Sequence, residues 1–534
     1  MTPTAITFFL DQFPLPSICS ATMSPRPSVR PLSLFLVALL SVPLVPASAA
    51  VSLAPLFREG AILQRDQPVP VWGKAAPGEQ VTVGFGGQSL VTRADEAGRW
   101  SVRLAPLAAS DQPRELVVSG ENTLRVRDVL VGEVWLCSGQ SNMAWTVSQI
   151  GADTATLSSA ADPLLRQFKI TQTLSSTPLD TLSGDWVASR TGSVGDFSAV
   201  AYFFARELRT RLGVPVGLIN SSWGGTQIES WLSPAAIAES PHAGSVAAEW
   251  AKRIADYPAA QARYESLLAK WESDRAKALA ANKPFTRNKP RRPEGAGTRW
   301  EPGAIYHAMI HPLRPAAIRG VIWYQGETNA PRYDEYRDLF PRLIQQWRAD
   351  FNQPALPFYF VQLANIDRSA SVDPTARQWA FLREAQSGAL RLPATGQALA
   401  IDIGEANNIH PRNKQEVGRR LALLALSEVH ALPLPAYGPR FERAERSGEA
   451  LRIRFLHADG LESSSGANLT GFELAGEDRV FHDASARIEG DTVLVSSPAV
   501  PAPVAVRYAF KNNPPVSLKN RHGLPAEPFR TDTW

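Results

Sequence analysis

Between Val51 and about Arg127, apolar and polar residues alternate at period two, with Val81, Val83 and Phe85 in one run and Trp100, Val102 and Leu104 in another. Asp95 to Gly98 supplies a turn between such runs. This pattern predicts short, half-buried strands in a β-sandwich or jelly-roll type module over residues 50–127. Near Leu130 the pattern changes to short apolar runs at wide spacing: Val131–Leu136, Val216–Ile219, Ile318–Trp323, Phe358–Leu363 and Ala398–Ile403. Helical periodicity fills the gaps, as in Phe197 to Leu212, and in Tyr336, Leu339, Phe340, Leu343, Ile344 and Trp347 on one face. Strands alternating with helices predict a mostly parallel sheet covered on both faces over residues 128–432, with its ligand site at the carboxyl ends of the strands.

The stretch 233–302 interrupts that alternation. Trp250, Ile254 and Tyr257, then Tyr264, Leu268 and Trp271, recur at helical spacing and predict a helical insertion. A basic, proline-rich run follows it: Lys283, Arg287, Lys289, Arg291 and Arg292. It reads as a solvated loop or, more sharply, as a rim that attracts acidic sugars. Strand texture returns after Pro433, in Leu451, Ile453 and Phe455, Val493 to Val495, and Val504 to Tyr508, predicting a second β-module over 433–534.

A chain of 534 residues exceeds what one core usually serves, which agrees with several domains. With 44% hydrophobic and 20% charged residues it has a globular balance. Its 55 basic against 51 acidic residues are too even to call for nucleic acid. Arg26 and Arg30, the apolar run Leu32 to Leu44, and Ala47-Ser48-Ala49 have the three parts of a secretory signal peptide. Residues 1–49 are therefore expected to be a leader, with Met23 as the start, and the mature chain to be periplasmic or secreted and free of the membrane. Loss of Cys19 with the leader leaves Cys137 alone, without a disulfide and in an apolar run where it fits a small buried hydrophobe.

The chemistry-bearing residues follow the predicted strands. Ser141, in Ser138-Gly139-Gln140-Ser141-Asn142-Met143, would stand at the sheet edge near a helix start, where it suits a nucleophile or a helix cap. Gly224-Gly225 after the next strand could lend an amide to an oxyanion or form a plain turn. Trp323-Tyr324-Gln325-Gly326-Glu327-Thr328-Asn329 offers the neutral amide donors Gln325 and Asn329, whereas Glu327 fits a polar network that holds the loop. Of eight histidines, only His410 lies just beyond a sheet strand and just before an amphipathic helix, Lys414 to Leu424, where a general base for Ser141 must stand. Metal catalysis would want clustered ligands, and only His307 and His311 sit four apart, without a zincin glutamate. Gly84-Phe85-Gly86-Gly87 lacks the Lys and Ser/Thr of a phosphate loop, and Ser141 is not in a Gly-x-Ser-x-Gly elbow. No cofactor or metal is expected.

These residues resemble the bacterial sialate O-acetylesterases, carbohydrate esterases of the SGNH-hydrolase type. The resemblance runs from Gly132-Glu133-Val134-Trp135 and Ser138 to Met143, through Asn220 to Gly225, Glu229-Ser230-Trp231 and Trp323 to Glu327. It continues with Ile409-His410-Pro411, Asn413-Lys414-Gln415 and Asn512-Asn513-Pro514. It implies a flavodoxin-like three-layer α/β/α domain flanked by the β-modules, Ser141 as nucleophile and His410 as base. It also implies an oxyanion hole from the Ser141 and Gly225 amides plus Gln325 or Asn329. The substrate implied is an acetylated carbohydrate, foremost an O-acetylated sialic acid; acetylated xylan or another plant polysaccharide is the alternative, and a non-catalytic carbohydrate-binding protein the rival. One position departs from the family, which commonly has aspartate two residues before the histidine where this chain has Asn408. The imidazole is then expected to be oriented by Asn408, to borrow a carboxylate from Asp402 or Glu405, or to work in a Ser–His dyad.

Overall fold

The computed structural model describes residues 50–152, 160–367, 377–466 and 469–534. The predicted leader and Cys19 lie outside them. In the amino-terminal part, Val69–Lys74 pairs antiparallel with Arg99–Leu104, and Gln80–Phe85 with Gln88–Arg93. The period-two alternation holds there: Val81, Val83, Phe85, Trp100 and Leu104 are buried around one core.

The central sheet is built on a long strand, β1 (Thr123–Gly139). Its first part pairs with Ser110–Ser119 and Ile62–Gln64 of the amino-terminal part, and Glu133 to Gly139 run between parallel neighbours. Residue 128, where the sequence texture changes, therefore falls inside a continuous strand. The other strands are β2 (Asp162–Ile170), β3 (Gly184–Ser189), β4 (Val216–Ser222), β5 (Gly320–Tyr324), β6 (Phe358–Gln362) and β7 (Thr395–Leu399). Their order is β3-β2-β4-β1-β5-β6-β7, parallel except for the edge strand β3. Four of the five predicted runs supply β1 and β4 to β6; the fifth, Ala398–Ile403, overlaps β7 only at Ala398 and Leu399, because the strand starts earlier, at Thr395. The pair β2 and β3 went unpredicted because Arg166, Gln167 and Lys169 break the apolar run; Arg166 is buried nonetheless, held by Asp128 at 2.9 Å.

The helices that matter are α1 (Ala199–Leu212), α2 (Ala243–Ala280), α3 (Tyr333–Asp350), α4 (Gln378–Ser387) and α5 (Lys414–Leu424). α1 packs on α5, and α3 on α4. Successive residues of β6 separate these pairs: Phe358 and Phe360 meet Phe340 of α3, whereas Tyr359 stacks on Trp135, which meets Phe204 of α1. All six apolar positions predicted for the α3 face are buried. At Gly418 the α1–α5 crossing is so close that a Cβ would sit 2.7 Å from Phe203. Cys137 is fully buried in this core, and burial pushes its thiol well up.

The insertion contains one long helix, α2, on which only Val246 is fully buried. The basic run after it doubles back along the helix: the Trp271 indole donates to the Arg287 carbonyl at 2.8 Å, and Arg287 pairs with Asp274 at 2.8 Å. This return brings residues 291–300 over the carboxyl ends of β1 and β4. After residue 432 two four-stranded antiparallel sheets enclose a third core. Its loop at Lys511-Asn512 is tied to α4 by Arg383, a fully buried guanidinium that donates to the carbonyls of Leu363, Lys511 and Asn512.

Candidate active site

β1 ends at Gly139, whose φ of +133° and closeness to the Tyr324 carbonyl, 2.2 Å from where a Cβ would stand, leave room only for glycine. The chain then turns into a short helical segment, Ser141–Ala144, so Ser141 stands at the sheet's carboxyl edge. The segment after β7 brings His410 to it: Nε2 lies 2.8 Å from Ser141 Oγ. Trp145, one helical turn beyond Ser141, stacks on the imidazole at 4.6 Å with an interplanar angle of 25°. Burial, and then the charge of Lys414, hold the His410 pKa below its ordinary 6.5. A serine hydroxyl against a neutral imidazole is the arrangement for proton abstraction.

Both residues line a cavity of about 1160 Å³. Its wall includes Trp223, Gly224 and Gly225 after β4, Trp379 of α4, Asn512 of the carboxyl-terminal part, and Arg291, Arg292, Arg299 and Trp300 of the insertion. Gly225 has φ +70°, a left-handed conformation that favours glycine, and a Cβ there would meet the Arg299 guanidinium at 3.3 Å. Among the described residues, the amides of Ser141 and Gly225 donate no hydrogen bond within the protein. Free N–H groups on residues that line the same cavity as the hydroxyl can receive a developing oxyanion.

Gln325 and Asn329, the expected side-chain donors, are fully buried and do not line the cavity. Gln325 Nε2 donates to Asn329 Oδ1 at 2.8 Å and to the Thr226 carbonyl at 3.3 Å. Asn329 donates to Glu229 at 3.0 Å and accepts from the Ile228 amide at 3.0 Å. Their amides fasten the loop after β5 to the loop after β4.

The candidates for orienting His410 are also placed otherwise. Asn408 Oδ1 accepts from the His410 main-chain amide at 3.0 Å, and its Nδ2 donates to the His410 carbonyl at 2.9 Å and to Glu405 at 3.0 Å. It therefore holds the backbone of His410 and not the ring. Asp402 is taken by a bidentate pair with Arg420, at 2.6 and 2.7 Å. Glu405 accepts from Asn408 and the Arg412 amide, and these bonds lower its pKa. Among the described residues, no carboxylate hydrogen-bonds to the His410 ring. Asn408→Asp is accordingly expected to lower kcat, because the new carboxylate loses two donated bonds and faces Glu405 and a carbonyl; a pH–rate profile of the variant checks this.

Sequence reasoning missed Trp145, Arg299 and the buried pair Asn142 and Lys414, which no periodicity signals. His307 and His311 face the Ser175 and Leu179 carbonyls, at 3.3 and 3.0 Å. Among the described residues, no three His, Cys, Asp or Glu side chains are grouped to hold a metal.

Residues 131–281 and 295–427 match the family described as carbohydrate esterase, sialic acid-specific acetylesterase. The chain is 33% identical to the sialate O-acetylesterase of Mus musculus over 387 residues, 66% of this chain and 68% of that protein. It is likewise 33% identical to that of Rattus norvegicus over 388 residues, again 66% of this chain and 68% of that one. The crystal structure of a carbohydrate acetylesterase from Xanthomonas citri superposes with a TM-score of 0.77 at 41% identity, covering 91% of this chain and all of that one.

Proposed function

Because this chain belongs to the sialic acid-specific acetylesterase family and is a carboxylic ester hydrolase of acetylated sugars, we propose that it deacetylates O-acetylated sialic acids through an acetyl-enzyme on Ser141, with His410 as base. The observation that carries this reading is the 2.8 Å contact between Ser141 Oγ and His410 Nε2, beside two unpaired amides on the wall of one cavity.

His410 Nε2 takes the Ser141 proton as Oγ attacks the acetyl carbonyl, and the Ser141 and Gly225 amides receive the oxyanion. The imidazolium returns its proton to the sugar oxygen as that oxygen leaves. A water then gives its proton to His410 and attacks the acetyl-serine, releasing acetate and restoring the hydroxyl. Among the described residues no carboxylate hydrogen-bonds to the ring, and the Trp145 face, stacked on it, supplies a partial substitute by attraction between cation and π-system. The frame for this chemistry is a flavodoxin-like three-layer α/β/α domain of the SGNH type over 128–432, with an insertion at 233–302 and β-modules at 50–127 and 433–534. The leader motif supports a periplasmic or secreted location for the mature chain.

An acidic sugar is favoured by Arg291 and Arg292, exposed on the cavity wall and, among the described residues, in no ion pair. Arg291→Ala/Arg292→Ala should raise KM for an acetylated sialic acid roughly tenfold, corresponding to about 1.4 kcal/mol of lost attraction. KM for an uncharged acetyl ester should stay unchanged, and added salt should erase the difference. Trp223 and Trp300 on the same wall favour a second reading, a neutral acetylated plant polysaccharide stacked on their rings. Acetate release from O-acetylated sialic acid and from acetylated xylan decides between them: we expect the first to be faster. Release from xylan alone would move the assignment to the polysaccharide, and release from neither would end the reading.

A further inference from the structure

One buried charge is left unused by this mechanism. Lys414, the first residue of α5, is fully buried, and its ammonium lies 5.3 Å over the Tyr324 ring. It donates to Asn142 Oδ1. Asn142 Nδ2 in turn donates to Glu327 Oε1 and to the Ile409 carbonyl, the latter at 3.0 Å. Asn142 follows the nucleophile and Ile409 precedes the base, so this one side chain ties together the two segments that must meet.

The buried Glu327 carboxylate and the Asn142 amide oxygen hold this cation, yet its burial is costly. A positive charge at a helix amino terminus also opposes the helix dipole, and an ammonium taken from water loses its hydration. Burial accordingly pushes the Lys414 pKa down to about 7, against the pull of Glu327 and Glu405. Below that value Lys414 carries its charge.

We infer that Lys414 is a positioning residue for the reaction: through Asn142 its ammonium fixes the segments carrying Ser141 and His410 against each other, and its positive charge acts on the imidazole. The charged groups on the elements around His410 are Lys414 on α5, Glu327 after β5, Glu405 and Arg412 on its own segment, and the Arg299–Glu294 pair of the insertion, paired at 2.8 Å. Arg291 and Arg292 lie further along the cavity wall. Of these, Lys414 is the charge that lowers the His410 pKa. A carboxylate would make the histidine a stronger base that protonates at higher pH; the ammonium does the reverse, keeping the ring unprotonated into mildly acidic solution.

The inference rests on the Ser141–His410 mechanism, and the experiment separates the two. The pH dependence of kcat/KM is measured for the full-length wild type, Lys414→Met, Lys414→Gln and Asn142→Ala, with circular dichroism to establish folding. Both neutral replacements of Lys414 should lower kcat roughly 10–100-fold, leave KM unchanged because residue 414 does not line the cavity, and move the acid limb to higher pH. Asn142→Ala should lower kcat comparably without moving the acid limb upward, since the charge stays. An acid limb at the wild-type position in a folded neutral variant would overturn the inference. So would failure of both neutral variants to fold, which would make Lys414 a structural residue. A wild type without esterase activity would instead strike the mechanism itself.

Discussion

Ser141→Ala is expected to lower acetate release by about 10⁶-fold while leaving the fold and the affinity for the sugar intact. The hydroxyl is the atom to which the acetyl group is transferred in the proposed mechanism, and its loss removes both chemical steps at once. Alanine fits the space, and no hydrogen bond of the Ser141 side chain other than that to His410 Nε2 is lost among the described residues. The check is kcat together with an unchanged melting temperature. Activity within tenfold of wild type would remove Ser141 from the mechanism. Ser138, three residues before it and fully buried, does not line the cavity and offers no substitute.

His410→Ala comes next, with an expected loss of about 10⁴-fold, the upper range for a positioned general base. The hole left beside Trp145 has the size and the aromatic wall of the lost ring, so added imidazole should restore part of the rate. In the wild type the acid limb of kcat/KM should lie below pH 6.5, because burial and the Lys414 charge both lower the His410 pKa from that value. The sign is definite: a base whose pKa is lowered in the folded protein keeps its unprotonated form to lower pH, so activity falls only after the solution passes below the ordinary histidine value. An acid limb above that value would mean that a carboxylate reaches the ring after all.

Much of this was legible in the chain itself. Positions that alternate, such as Val81, Val83 and Phe85, or that recur at helical spacing, such as Tyr336 to Trp347, report one buried face each, and the structure buries them. Ser141 and His410 stand out because each follows a strand that a parallel sheet must end on the same edge. The directions of side-chain amides were not legible. Asn408 is two residues from His410, a separation equally suited to the ring or to the main chain, and only the turn at Glu405 to Asn408 selects the latter. Gln325 and Asn329 have the right chemistry for an oxyanion, but their four-residue spacing lets Gln325 donate to Asn329 Oδ1, while the Asn329 amide donates to Glu229. Lys414 belongs to the Asn413-Lys414-Gln415 motif, but lysine at a helix start normally faces water, so its burial was not legible. The basic run after α2 could be read as a loop, whereas its path back to the cavity depends on Trp271 and Asp274, well separated in sequence.

In the proposed mechanism Ser141, worked by His410, carries the acetyl group of a sugar ester. Titration with a serine-directed fluorophosphonate tests it most directly, with peptide mass mapping of the label and acetate release from O-acetylated sialic acid followed in the same samples. One label per chain is expected, on Ser141, with activity that falls in proportion to it. Acetate release that persists when Ser141 is fully labelled, or inactivation that tracks a label elsewhere, would contradict it.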